Sequence, residues 1–166
     1  DEAHEGLQQQ VAQLGEGFHV EEGTMNLVQA IYLNNAVAPF DNEKVRQAMC
    51  YAVDADAMME LTADGHGTMV GSSMYPSFKK YFDASLADAY PHDVEKAKEL
   101  LTEAGYPNGF TFTIKVPSNY TPHVNTALVL KEQLAEVGIT AEIEQIDWNS
   151  WLTDVYSGRE FEGTVV

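Results

Sequence analysis

The residues best equipped for chemistry in this chain are scattered rather than clustered. Its five histidines stand at positions 4, 19, 66, 92 and 123. None forms a His-Glu-x-x-His segment or an i, i+4 pair that would set two imidazoles on one helix face around a metal. Asp64-Gly65-His66 is a close acid–histidine pair. As a metal ligand or general base it needs an oriented partner and a substrate proton within reach; in a glycine-rich stretch it reads as a solvated loop instead. Gly65-x-Gly67-x-x-x-Gly71 lacks the Lys-Ser/Thr ending of a nucleotide loop and follows no strand. Gly-x-Ser-x-Gly is absent, and with it the hydrolase elbow. Cys50, the single cysteine, follows Met49 on a helical pattern with no histidine nearby, which describes a packed thiol rather than a nucleophile. Glu21-Glu22 and Asp54/Asp56 fall at turn and cap positions. Glu142 and Glu144 occupy the polar face of an alternating run. The expectation is a chain with no catalytic residue, no metal site and no cofactor.

Amide and aromatic side chains at loop–strand junctions are the alternative chemistry. Asn34-Asn35 follow one extended run, Ser118-Asn119-Tyr120 a second, and Trp148 a third. In open α/β sheets, ligands gather at the carboxyl ends of strands. There Asn34, Ser118 and Asn119 would offer hydrogen bonds, and Tyr120 and Trp148 flat apolar walls. Ordinary turn residues and a helix-anchoring tryptophan account for the same residue types. Both readings remain open on spacing alone.

Several elements must position these residues. Leu7, Val11 and Leu14 give a helical spacing from Glu2 to Leu14. Phe18-His19-Val20 and Met25 to Leu33 read as extended, and the apolar run Leu27 to Leu33 suits a strand covered on both faces. Asp41 is placed to cap a helix carrying Val45, Ala48, Met49, Ala52 and Val53. Asp54 or Asp56 caps a shorter helix that ends at Gly65. Glycines and prolines break every pattern from 65 to 92, a length of loop that is usually functional or wraps around something. Asp93 then caps a helix that stops at Gly105 and Pro107. Phe110 to Val116 alternates, a helix runs from about His123 to Val137 with Gly138 at its end, and Ile139 to Ile146 alternates again. That order predicts a parallel βαβ unit. Asp147 caps a last helix through Trp151 and Val155, stopped by Gly158, and Phe161 to Val166 begins another strand. The expected fold is α/β, a mixed and mostly parallel sheet flanked by helices, in a single domain over 1–166.

Composition narrows the classes further. Nine basic against 26 acidic residues give a formal charge of −17. That sign opposes nucleic-acid phosphates and anionic membrane surfaces. No run of about 18 apolar residues is present to span a membrane. A chain of 166 residues with 45% apolar content can bury a real core, and one cysteine excludes an internal disulfide framework. The apolar run at Gly163-Thr164-Val165-Val166 suggests a piece of a longer protein.

Four segments, in order, carry a resemblance. They are Tyr32-Leu33-Asn34-Asn35 with Pro39-Phe40-Asp41-Asn42; Val45-Arg46-Gln47-Ala48-Met49-Cys50-Tyr51-Ala52-Val53-Asp54; Asp93-x-x-Lys96-Ala97-x-x-Leu100-Leu101-x-x-Ala104-Gly105-Tyr106; and Leu134-x-x-Val137-Gly138-Ile139 leading to Asp147-Trp148. Over about residues 25 to 166 the chain resembles the extracytoplasmic solute-binding proteins of the peptide/nickel class (family 5), which serve ABC importers. The resemblance implies one lobe of a type II periplasmic-binding-protein-like fold, part of a two-lobed protein that closes on a solute. It implies capture of a peptide or similar small solute, delivery to ABC permease subunits, and a periplasmic or extracellular, membrane-associated location. By this likeness Trp148 matches an aromatic wall, Ser118-Asn119-Tyr120 a rim segment, and Asn34 a strand-end amide. Some dipeptide binders place a basic residue in that rim segment; here no Arg or Lys lies between Val116 and Lys131. Arg46 also matches a family arginine, with a structural ion pair as its expected role. A hydrolytic domain with acidic cleft residues, and an interaction module using the loop from Gly65 to Pro91, are the competing functions.

Overall fold

Two alternating runs separated by an amphipathic helix build the centre of the sheet, and the remaining elements are arranged around them. The structure, a computed structural model, describes residues 11–166; the helix expected from Glu2 lies largely outside them. In chain order the elements are β1 (Ile31–Leu33), α1 (Glu43–Ala52), α2 (Ala55–Ala63), α3 (Val94–Glu103), β2 (Thr111–Pro117), α4 (Thr121–Ala135), β3 (Thr140–Ile146), α5 (Trp148–Ser150) and β4 (Gly163–Val165). Trp151–Ser157 continues α5 in wider, π-helical turns. Short 3-10 turns at Pro76–Phe78 and Ala84–Asp88 interrupt the long loop.

The sheet order is β1-β4-β2-β3. β2 runs parallel to β3, with Thr111 opposite Thr140 and Pro117 opposite Ile146. β4 runs parallel to β2, and β1 antiparallel to β4. One face carries Phe112, Ile114, Val116, Ala141 and Val165, all buried, against a layer formed by α1, α3 and α4. Phe40 closes this layer, with its ring 5.0 Å from Phe112 and 5.7 Å from Phe110 in edge-on contact. Each fully buried Leu, Ile, Val or Phe contributes about 1.5–3 kcal/mol. The helix following β3 covers part of the other face, burying Trp151 and Val155.

Capping follows the sequence closely. Asp54, Asp93 and Asp147 accept from backbone N–H groups at the starts of α2, α3 and α5. At α1 the cap is Asn42, not Asp41: Asn42 Oδ1 accepts from Lys44 N at 2.9 Å. The π-helical winding of 151–157 was not expected. Arg46 makes no ion pair among the described residues; its Nη1 donates to the Phe40 carbonyl at 2.9 Å, fixing the turn before α1. Cys50, expected to be packed, lies on the exposed side of α1; local desolvation still holds its thiol pKa above the ordinary value.

The largest difference concerns residues 18–33. Only Ile31–Leu33 forms the expected strand, continued by the bonded pair Ala30 and Val166. β1 lies at the sheet edge, so Tyr32 is 47% exposed rather than covered on both faces. Phe18, Val20, Met25 and Leu27 are exposed. An apolar run reports a tendency to be covered and does not say by what.

Candidate functional site

The carboxyl ends of β2 and β3 meet in one rim. Ser118 N donates to the Ile146 carbonyl at 2.8 Å, so the loop leaving β2 and the turn leaving β3 start side by side. That brings Tyr120, at the start of α4, against Trp148, at the start of α5. Their ring centroids are 5.2 Å apart, edge to face. Trp148 in turn stacks on Trp151 at 5.1 Å with only 4° between planes. Trp151 is locked from below: its Nε1 donates to Thr164 Oγ1 at 3.0 Å, and that hydroxyl donates to the Lys115 carbonyl at 2.7 Å. A buried ring thus sets the angle of a half-buried one, and Trp148 needs little ordering when something lies on it.

Other side chains complete the rim. Tyr120 is 41% exposed, and Ser118 and Asn119 are exposed. His123, one turn into α4, lies 5.3 Å from Tyr120 ring to ring. Its Nδ1 is buried without a hydrogen-bond partner among the described residues, and burial lowers its pKa below the ordinary imidazole value. Gln29, just before β1, donates to the Pro122 carbonyl at 3.3 Å and also to Thr126 Oγ1. It ties the chain entering the sheet to the first turns of α4.

Asn34 is not part of this rim. β1 runs opposite to its neighbours, so the end of β1 lies beside the start of β4: Asn34 N donates to the Glu162 carbonyl at 2.8 Å. The Asn34 amide donates to the Arg159 and Phe161 carbonyls at 3.2 and 2.9 Å and accepts from Ala36 N. A shallow groove of about 350 Å³ opens beside it, lined by Thr113, Lys115, Glu144, Arg159 and Glu162. The structure thus unites Ser118, Asn119, Tyr120 and Trp148 and leaves Asn34 elsewhere.

Trp151 was missed as a site residue although its spacing carried a signal: three residues after Trp148, it shares a helix face with it. Gln29 and His123 carried none, because their roles depend on contacts between distant segments.

Among the described residues, no group of three His, Cys, Asp or Glu side chains is placed to hold a metal ion. The histidine–carboxylate contacts there, His19–Glu21 and His66–Glu22, both measure 2.9 Å and lie on the surface. No described helix is long and apolar enough to cross a membrane.

An aromatic wall at the carboxyl edge of a parallel sheet suits a binding protein, and comparison with known sequences decides the family. The model for bacterial extracellular solute-binding proteins, family 5 (middle region), matches residues 3–165. The chain belongs to this family. Among its family 5 relatives, the glutathione-binding protein of Pectobacterium atrosepticum is 37% identical over 118 residues, which is 70% of this chain and 22% of that protein. Heme-binding protein A of Haemophilus influenzae is 40% identical over 123 residues, 71% of this chain and 22% of that protein. Among solved structures, the periplasmic binding protein DppA of Helicobacter pylori, in complex with the peptide STSA, superposes with a TM-score of 0.72 at 30% identity, covering 83% of this chain and 26% of that one. The chain spans about a fifth of the length of the curated family 5 proteins it matches.

Proposed function

We propose that this chain is part of the substrate-binding component of an ABC importer. The component captures a peptide or similar small solute between two lobes, outside the cytoplasmic membrane, and hands it to permease subunits. Trp148 and Tyr120 wall the solute, and Ser118 and Asn119 make directional hydrogen bonds to it. The supporting observation is the orientation of Trp148 by the buried Trp151–Thr164–Lys115 chain of contacts. Such bracing is wasted on a surface residue with nothing to bind. No bond is made or broken: closure desolvates the solute, and release follows when the lobes part. The relatives named for glutathione and bound to a peptide favour small peptide-like solutes.

The test is the melting temperature of the intact receptor carrying this chain, with glutathione and a panel of short peptides. A ligand that binds only the folded state raises it. Replacing a central aromatic contact, Trp148→Ala, should weaken the responding solute's affinity by roughly thirtyfold, about 2 kcal/mol, while Trp148→Phe retains most of it. An unchanged affinity in Trp148→Ala refutes the role of the rim. An absence of any response across the panel refutes peptide-like solutes.

A further inference from the structure

The charges around the rim decide which part of a solute can lie on it; this inference rests on the reading of the rim as a solute contact. No Lys or Arg occurs between Lys115 and Lys131, or between Lys131 and Arg159. Both loops that build the rim therefore lack a fixed cation. His123 does not replace one, because its burial disfavours the protonated ring.

Helix N-termini are the other common anion holders, and in the two that reach the rim several of the first N–H groups already have acceptors. In α4, Pro122 has no N–H, and the N–H groups of His123 and Val124 donate to the Tyr120 carbonyl at 3.0 and 3.2 Å. In α5, the Asp147 carboxylate accepts from the N–H groups of Asn149 and Ser150 at 3.0 and 3.1 Å, and Trp151 N donates to the Asp147 carbonyl at 2.9 Å. Asp147 is itself an anion: hydrogen bonds from Ser150 and Asn149 hold its carboxyl below the usual range. Two aromatic rings beside a carboxylate are what the rim presents. Ring faces are electrostatically negative and attract cations. A carboxylate laid there would lose water and gain no cationic partner from these loops.

We propose that the group resting on this rim is cationic or uncharged and rich in C–H surface, an ammonium-bearing or ring-faced moiety, and that any carboxylate of the solute points away from it. Ser118 and Asn119, whose side chains make no hydrogen bond among the described residues, read the polar edge of that group.

Three probes of one shape and different charge test this: benzylammonium, benzyl alcohol and benzoate. Each is titrated into the intact receptor carrying this chain while the indole N–H resonances of Trp148 and Trp151, assigned by substitution, are followed. Trp148 N–H should shift, and Trp151 N–H, held by Thr164, should stay still. Affinity should fall in the order ammonium, alcohol, carboxylate, with benzylammonium about two- to fivefold tighter than benzyl alcohol. Benzoate binding as tightly as benzylammonium overturns the proposal, and so does a Trp148 resonance that none of the three moves. Neither outcome touches the transport reading, which stands or falls separately on the melting response of the intact receptor to peptides.

Discussion

His123 makes the rim sensitive to acid. Burial lowers its folded pKa below the ordinary 6.5, so on acidification the unfolded chain takes up this proton first. The stability associated with the neutral ring is complete above that ordinary value and is lost as pH falls towards the depressed folded one. His123→Phe removes the titration. Its melting temperature should therefore drop less than that of the parent between about pH 7.5 and about pH 5.5; an equal drop in both excludes His123 as the cause. Residue type and position after a strand were enough to nominate Tyr120 and Trp148 for a shared rim, with ordinary turn residues left as the other reading. They were not enough to place Asn34, because the antiparallel sense of β1 reverses which end of the sheet its terminus reaches. Nor did they reveal the orphaned nitrogen of His123, which depends on what packs above it.

The turns leading into β2 and β3 meet at two glycines. Gly109 has φ +72° and Gly138 has φ +87°, both in the left-handed region. A Cβ on Gly109 would lie 1.9 Å from the Gly138 carbonyl oxygen, inside any possible contact. Gly105, at the end of α3, has φ +92° but open space around it. Gly105→Ala should therefore cost only the backbone penalty, about 1–2 kcal/mol, whereas Gly109→Ala must also push two strand-leading turns apart. Urea denaturation of both variants should show the second loss to be at least twice the first. Equal losses rule out the close approach. The βαβ unit itself was legible, because Phe112, Ile114 and Val116 alternate while Ala127, Leu130 and Leu134 keep helical spacing. Gly138 and Gly105 were legible as helix ends. Gly109 was not, since its constraint comes from a chain segment 29 positions away (138 − 109). The one-residue difference at Asp41 has a similar origin: two adjacent side chains can both cap, and the preceding turn chooses.

At the scale of the molecule, much of the formal charge of −17 falls on helix caps and exposed strand positions. Several of its carboxylates cap helices at Asp54, Asp93 and Asp147, and Glu142 and Glu144 are exposed. The family match and the superposed relatives account for the fold, while the exposed Phe18, Val20, Met25 and Leu27 belong to a segment that sequence pattern read as strand. The pairing of β1 with β4 has a mechanical meaning. Ala30 and Val166 exchange backbone hydrogen bonds of 3.0 and 3.3 Å across antiparallel neighbours. Tension between these two positions does not shear the sheet. It peels the ladder one rung at a time, as a zip opens, with few rungs to break before β1 is free. In an optical trap with handles at residues 30 and 166, extension should begin with a low-force step that releases β1. The β2–α4–β3 unit should then yield separately at higher force; a single rupture of the whole chain refutes that order. Load reaching this chain through β1 and β4 would therefore part that seam before it disturbed the tryptophans at the rim.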